Sequence, residues 1–362
     1  MRPRPTPPGR PTHRRVRGAS AIVATAIVAT LTLLLACADA DSPRAPAARA
    51  PATTARRVVP APWQTLWRRG GGEDTLLLMP VAVAADSARV YVLDAAGYRV
   101  VAFDGTSGRL AWLSGRKGGG PGEFSGPVAL VPSRGGVVVA DPGNARITSL
   151  DASGLVVQET TLPDASTARS LCPLAGGALL VATGEDRPLA LLAPDGRVER
   201  RLPLPWKALA ALPPLARQLR LAPTTDGEGC VVALELGHGF AVLSKGRIAV
   251  RRPYVESFPL PHVRVERSWR TRTQRLTERR IAAYDVTVVG DEITMAFEGR
   301  TRGARHLLDL YSASSGAYLR SYRLETPVNG IARVRDRVYV LSERDGYPTL
   351  TAFGTGTAPG AP

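Results

Sequence analysis

The stretch PVAVAADSARVYVLDAAGYRVVAFD at residues 80–104 returns 47 residues later as PVALVPSRGGVVVADPGNARITSLD at residues 127–151. The two copies share eight identical positions. The identical pairs are Pro80/Pro127, Val81/Val128, Ala82/Ala129, Val90/Val137, Val92/Val139, Asp94/Asp141, Arg99/Arg146 and Asp104/Asp151. Repetition at a period of this size is typical of proteins that stack one supersecondary unit on copies of itself.

Each copy contains short runs of β-branched residues with period-two alternation, separated by Gly, Asp or Ser, which is typical of antiparallel strands joined by tight turns. Four strands fit in each unit. In the second copy we expect them at Pro127–Val131, Gly136–Asp141, Ala145–Asp151 and Leu155–Leu162. A unit of four strands cannot bury both of its faces alone, and radial stacking of such units gives a β-propeller.

Runs similar to VYVLD at Val90–Asp94 occur six times and set the number of blades. The other five runs end at Asp141, Thr183, Glu235, Glu298 and Ser342. The last unit stops after a third strand at Thr349–Phe353, whereas Trp63–Arg69 is an additional strand near the beginning. The sequence therefore predicts an all-β, six-bladed propeller in which this amino-terminal strand completes the sixth blade and closes the ring.

The segments VYVLDAAGYRVVAFD, GRKGGGPGEFSGP and VVVADPGNARITSLD resemble NHL-repeat proteins, including a Gly-Pro-Gly-Glu-Phe linker at residues 120–124. The resemblance is specific over residues 78–151 and weakens afterwards. It implies a propeller fold, and since one fold supports many activities, it does not fix the function.

The amino terminus has the pattern of a secretory signal. Residues 1–18 are rich in Pro and Arg, and residues 19–36 are uncharged and apolar, ending in Leu34-Leu35-Ala36-Cys37. This resembles a lipobox, which implies cleavage before Cys37 and attachment of lipid to its thiol. The alternative is an uncleaved amino-terminal membrane anchor. Either interpretation predicts an exported protein held at the cell envelope, on the periplasmic face or outer membrane of a cell with two membranes.

We therefore expect four segments. Residues 1–36 are a signal peptide, residues 37–62 a lipidated and disordered Ala/Pro-rich linker, residues 63–355 the propeller, and residues 356–362 a flexible tail.

The formal net charge of +16 does not by itself indicate a nucleic-acid partner. Six arginines precede Cys37, and the remaining chain has 41 basic residues against 31 acidic ones. We expect no nucleic acid as a partner. An anionic membrane surface is the nearer one, in addition to the lipid on Cys37.

The loops that follow second strands and the links that follow fourth strands emerge on one face of a propeller. Four acidic residues are expected there and are candidate ligand contacts, namely Asp94, Asp141, Glu235 and Glu298. For Asp94 and Asp141 a structural role in a hairpin turn is the alternative, with Arg99 or Arg146 as the partner across the turn. The run Gly118-Gly119-Gly120 is expected to be a flexible link between blades.

Two long insertions should reach the same face. Pro205–Pro223 has some helical spacing, interrupted by Pro213-Pro214. Glu256–Ile281 contains seven arginines, including Arg270 and Arg272, together with Trp269. This second insertion is either a solvated basic helix or loop, or a lid that binds an anionic ligand or an acidic partner.

Three histidines, His238, His262 and His306, map to the same face and are weak candidates for a zinc site, with calcium as another possible ion. Some NHL-like propellers are zinc-dependent lyases, so the resemblance makes a metal-dependent lyase or hydrolase the alternative function. No motif for nucleophilic catalysis or phosphate binding is present. Cys172 and Cys230 are expected to be small buried hydrophobic residues, with a disulfide as the alternative that export permits.

The leading hypothesis is a membrane-anchored, extracytoplasmic binding or scaffold module without catalytic residues. Its loop-bearing face would bind a protein, a peptide or a glycan.

Overall fold

The computed structural model describes residues 55–133, 135–161, 168–183, 188–206, 209, 212–256, 260–267, 272–277, 281–298 and 304–356. All of them belong to the compact unit Ala52–Pro362. The first two strands are β1 (Val58–Pro60) and β2 (Gln64–Gly70). Cys37 and the expected signal peptide lie outside the described residues.

Six antiparallel blades follow, each with four strands in the order inner to outer. Blade 1 contains β3 (Pro80–Ala85), β4 (Arg89–Asp94), β5 (Arg99–Asp104) and β6 (Leu110–Ser114). Blade 2 contains β7 (Ala129–Ser133), β8 (Gly136–Asp141), β9 (Arg146–Asp151) and β10 (Val156–Thr161). Blade 3 contains β11 (Ser170–Pro173), β12 (Leu179–Ala182), β13 (Leu189–Leu192) and β14 (Val198–Leu202).

Blade 4 contains β15 (Leu219–Pro223), β16 (Gly229–Leu234), β17 (Gly239–Ser244) and β18 (Arg247–Pro253). A separate hairpin follows, formed by β19 (His262–Arg267) and β20 (Arg272–Thr277). Blade 5 contains β21 (Ala283–Val289), β22 (Glu292–Phe297), β23 (Leu307–Ser312) and β24 (Tyr318–Arg323). Blade 6 contains β25 (Val328–Val334), β26 (Arg337–Arg344) and β27 (Tyr347–Gly354), and its fourth strand is β2.

The ring closes as the sequence predicts. The amino-terminal strand β2 pairs antiparallel with β27, from Gln64 opposite Gly354 to Gly70 opposite Thr349. The six-bladed propeller is thereby confirmed, and the first and last strands of the ring lie in the same sheet.

The core lies between neighbouring blades because period-two alternation places successive side chains on opposite faces of each sheet. In β4, Val92 packs against blade 6, where it meets Tyr339 and Leu341. The next residue, Leu93, packs against Leu130 of blade 2. Burying each residue type on both faces in this way makes stacking, rather than any single blade, the source of stability.

The expected linker ends earlier than residue 62. Residues 55–62 are described, and β1 within them pairs in parallel with β24 as a fifth strand of blade 5. Arg57 accepts a hydrogen bond from the Ser321 backbone N–H at 2.9 Å. The blade provides an unpaired outer edge that a short Val-Val-Pro segment can use, so this part of the chain is ordered by tertiary contacts.

The two insertions also differ from the expectation of helical structure. In the described part of Pro205–Pro223, a 3₁₀ turn at Pro214–Ala216 leads into the inner strand β15. The described part of Glu256–Ile281 is the β19–β20 hairpin. No helix in the described ranges is long and apolar enough to cross a membrane.

Cys172 and Cys230 form a disulfide, with their Cα atoms 6.4 Å apart, so the expectation of two unpaired buried cysteines is wrong. They lie on non-equivalent strands, β11 and β16. However, both side chains face the interface between blades 3 and 4, where they belong to one hydrophobic cluster. The bond therefore crosses from one blade to the next.

Candidate functional site

One face of the propeller carries the ends of all six second strands, and we call it the loop face. Its markers are Asp94, Asp141, Thr183, Glu235, Glu298 and Ser342. Asp94 and Asp141 are the last residues of their strands, whereas Glu235 and Glu298 follow the strand ends by one residue. The strand directions therefore place the four predicted acidic residues on one face.

Asp94 is fully buried. Its carboxylate accepts a hydrogen bond from the Met79 backbone N–H at 2.8 Å and from Arg99 Nε at 3.3 Å. A side chain at Gly97 would lie 2.6 Å from the Asp94 carboxylate, so the turn requires glycine there. The predicted Asp94–Arg99 pair is present, and it closes the hairpin from inside.

Asp141 is also fully buried, but its partners differ from the predicted one. It accepts hydrogen bonds from the backbone N–H groups of Ser125 (3.1 Å) and Gly126 (2.8 Å) and from Asn144 Nδ2 (2.8 Å). The expected partner Arg146 instead contacts Glu159 at 3.3 Å.

The Gly118–Phe124 loop explains this difference. Arg146 donates to the Gly120 carbonyl at 2.7 Å and to the Glu123 carbonyl. Gly118 N–H donates to the Phe124 carbonyl at 3.0 Å, and Phe124 is fully buried between blades 1 and 2. The link between blades is therefore held by specific contacts, in contrast to the expected flexible link.

Glu235 and Glu298 lie where blades 4 and 5 meet on the loop face. Glu235 is buried and forms an ion pair with Arg220 at 2.9 Å. The Glu235 carbonyl accepts from the Ala282 N–H at 2.8 Å, and the Glu298 N–H donates to the Ala282 carbonyl at 2.9 Å. The side chain of Glu298 is only partly buried and belongs to the edge of the face.

The three histidines share the loop face but do not form a metal site. Burial lowers the pKa of His238, His306 Nδ1 lies 3.1 Å from the Leu324 carbonyl, and His262 is exposed at the start of β19. Among the residues that the structure describes, no group of three His, Cys, Asp or Glu side chains is placed to hold a metal ion.

The β19–β20 hairpin pairs with no blade. The side chains of Arg264 and Arg275 are 73% and 70% exposed, and their contacts with Glu266 are long, at 4.0 and 3.8 Å. Of the predicted residues in this insertion, Arg272 begins β20, whereas Arg270 lies outside the described residues. Most of the positive charge seen on the hairpin therefore faces solvent.

The central channel contains a feature that the sequence analysis missed. Its cavity of about 380 Å³ is lined by the six inner strands. On each inner strand, one residue lies opposite the second-strand residue that faces the next blade. In blade order these residues are Ala82, Ala129, Ser170, Arg220, Asp285 and Gly330.

Four members of this ring are small and two are charged. Asp285 Oδ2 accepts a hydrogen bond from the Ile331 backbone N–H in blade 6 at 2.7 Å. Asp285 is partly buried, and burial raises the pKa of its carboxyl to about 6. An alignment of the residues that precede each VYVLD-like run, at the ring position, would have revealed Arg220 and Asp285 in the sequence.

The comparisons with known proteins support the fold. A family model described as outer membrane protein assembly factor BamB matches residues 65–175, less than half of the chain. No curated protein matches the chain.

Three solved structures illustrate the likeness. A streptogramin B lyase has a TM-score of 0.51 at 13% identity, over 81% of this chain and 99% of that one. A putative exported protein from Bacteroides fragilis has a TM-score of 0.51 at 11% identity, over 80% and 93%. Virginiamycin B lyase from Staphylococcus aureus has a TM-score of 0.50 at 11% identity, over 80% and 99%. At these identities the likeness establishes the propeller fold alone.

Proposed function

We propose that this protein is an extracytoplasmic binding module, anchored to a membrane through lipid on Cys37, whose loop face holds a protein or peptide partner. The rigid ring positions the loop face, and long segments on a rigid scaffold are where binding residues concentrate.

The observation that carries this proposal is the β19–β20 hairpin. It extends from the junction of blades 4 and 5 without pairing with either, and Arg264 and Arg275 lie largely in solvent. Folding of the ring does not require these charges. Exposed guanidinium groups pair readily with carboxylates, so an acidic surface of a partner is the complementary target.

The family model over residues 65–175 supports a protein as the partner, since its description concerns the assembly of proteins. The matched segment covers blades 1 and 2 and reaches the inner strand of blade 3. The hairpin lies outside this segment and would distinguish the present chain within that type of propeller.

A charge reversal on the hairpin tests the proposal. We expect the Arg264→Glu, Arg275→Glu protein to lose the partners that the wild-type protein captures from envelope extracts, because two attractive contacts become repulsive. The matched control is Arg197→Glu, Arg247→Glu, which makes the same change in charge at exposed arginines in the turns of the opposite face. If the hairpin variant and the control captured the same partners as wild type, the role of the hairpin would be refuted.

A further inference from the structure

We propose, building on the binding function above, that the mouth of the central channel receives a single basic side chain of the partner, whose ammonium or guanidinium group pairs with Asp285. The loop face would then contact its partner at two places, the hairpin and the channel.

The shape of the channel is suited to one inserted side chain. At the ring that contains Asp285, the neighbours Ala82, Ala129 and Gly330 leave space that larger side chains would fill. The cavity of about 380 Å³ is in the range of small-ligand pockets, and most of its walls are Val, Ala and Leu side chains. Such walls accommodate the methylene stem of a lysine or an arginine.

Asp285 brings a negative charge that the described part of the protein leaves without an ion-pair partner. The neighbouring cation of the ring, Arg220, instead pairs with Glu235 at 2.9 Å. Burial of an unpaired carboxylate is unfavourable, and a cation that enters the channel would offset that cost.

The structural role of Asp285 does not require its charge. Ser170 occupies the same ring position in blade 3, and its hydroxyl accepts a hydrogen bond from the Leu221 N–H of blade 4 at 2.9 Å. Asp285 accepts the equivalent bond from the Ile331 N–H of blade 6 at 2.7 Å. Because a neutral hydroxyl makes the same contact between blades, the carboxylate is available for a ligand.

The charges at the mouth favour a cation over an anion. Glu235 neutralises Arg220, so the net charge of the ring and its immediate ion-pair partner is negative. Glu298 follows the second strand of the same blade as Asp285 and adds a further carboxylate at the edge. An acidic ligand would have to displace Glu235 from Arg220 before binding.

The test uses the purified full chain and four capped pentapeptides that differ only in the central residue, which is Lys, Arg, norleucine or Glu in a glycine background. We expect calorimetric titration at pH 7.5 to show that the Lys or Arg peptide binds wild type at least tenfold more tightly than the norleucine peptide. The Asp285→Asn protein should lose this preference, whereas Asp195→Asn, in a turn on the opposite face, should keep it.

Val81 offers a second test that leaves Asp285 intact. Its side chain is 40% exposed and lines the channel. Val81→Arg should weaken binding of the basic peptides by repulsion, and Val81→Glu should strengthen it. Equal affinities of wild type for the Lys, Arg and norleucine peptides, or tighter binding of the Glu peptide, would overturn the proposal. So would a preference that survives in Asp285→Asn.

The two proposals fail separately. Loss of partner capture in the hairpin variant, combined with no preference for basic peptides, would leave the binding function standing and remove only the channel site.

Discussion

Asp309 is a carboxylate with no solvent exposure, and its charge is balanced by a residue from the far end of the chain. Arg56 approaches it in a bidentate fork, with Nε 3.0 Å from Oδ1 and Nη2 2.8 Å from Oδ2. The same guanidinium contacts Glu256 at 2.8 Å and lies 4.7 Å from the centre of the Phe297 ring. The segment before β1 is therefore part of the folded domain.

Removal of Arg56 should destabilise the propeller strongly. We expect Arg56→Ala to lower the free energy of unfolding by about 3–5 kcal/mol, because it leaves the buried Asp309 carboxylate unpaired. Denaturant titration provides the measurement. The exposed neighbour Arg57 gives the control, for which Arg57→Ala should change stability by less than about 0.5 kcal/mol. Equal stability of Arg56→Ala and wild type would refute the structural importance of this ion pair.

The Asp285 carboxyl predicts a specific dependence of stability on pH. Its pKa in the folded state, about 6, lies above the ordinary value of 3.8, so the folded state retains its proton over a range in which the unfolded state loses it. The stabilisation is therefore complete below about pH 4 and is lost as the pH rises through 6.

The measurement compares wild type with Asp285→Asn from pH 4 to pH 7.5. The stability of wild type relative to the variant should fall over this range by up to about 3 kcal/mol. The pKa values of Asp104 and Asp151 are lowered by hydrogen bonds in their turns, which gives the opposite slope, but both residues are common to the two proteins. A difference that stays constant with pH would contradict the assignment.

At the level of single residues, the sequence predicted contacts that are local. Asp94 and Arg99 are five residues apart in one hairpin, and their pair is present. Arg146 has the same spacing from Asp141, but the carbonyls of the loop before blade 2 bind it instead. Local spacing does not contain this information, since the competing partners come from a link between blades.

Among the elements, β2 and β1 show the difference between intrinsic and imposed structure. The β2 segment was predicted because it is the strand that the incomplete sixth blade lacks. The β1 segment contains three residues and lies in Ala/Pro-rich sequence, so its order depends on the edge of β24 and on Arg56. Nothing in a short Val-Val-Pro run predicts that edge.

The hairpin carried a signal that the number of arginines obscured. Val263 and Val265 alternate with Arg264 and Glu266, and period-two alternation is typical of a strand. The residues pair in the register His262 opposite Thr277 through Arg267 opposite Arg272. The alternation predicts strand structure, and the charges concern the surface that the strand presents.

The disulfide between β11 and β16 should stabilise the interface of blades 3 and 4. It joins residues separated by 58 positions, and a loop of this length predicts a contribution of about 2–4 kcal/mol. Reductant should lower the melting temperature of wild type, and the Cys172→Ala, Cys230→Ala protein should melt at the lower temperature with or without reductant. A wild-type melting temperature that is insensitive to reductant, with both thiols shown to be free, would contradict the bond.

On the scale of the whole molecule, the repeat at residues 80–151 was sufficient to predict a ring, because a blade that cannot bury its own faces must stack. The number of blades followed from six strand-like runs, all of which are second strands in the structure. The binding features could not be predicted with equal success. They depend on which side chains from different blades meet around the channel, and such contacts involve residues far apart in sequence.

The proposed anchor predicts where the protein is found in the cell. Replacement of Cys37 with Ala should release the folded propeller from the membrane fraction, since the lipid attachment site is lost while the residues from 55 onward are unchanged. Fractionation followed by detection of the protein measures this directly. If Cys37→Ala protein still sedimented with membranes, an uncleaved amino-terminal anchor would be the correct interpretation.

The central claim is that the loop face, marked by its arginine-rich hairpin, contacts a protein partner. Photo-cross-linking in intact cells tests it most directly, with the reactive side chain placed at Val265 of the hairpin or at Ile248 on the outer strand of blade 4. These residues are 40% and 51% exposed, so both reactive groups would reach solvent. We predict a discrete protein adduct from position 265, reduced in the Asp285→Asn background, and none from position 248. Equal adducts from both positions, or none from position 265, would contradict the account.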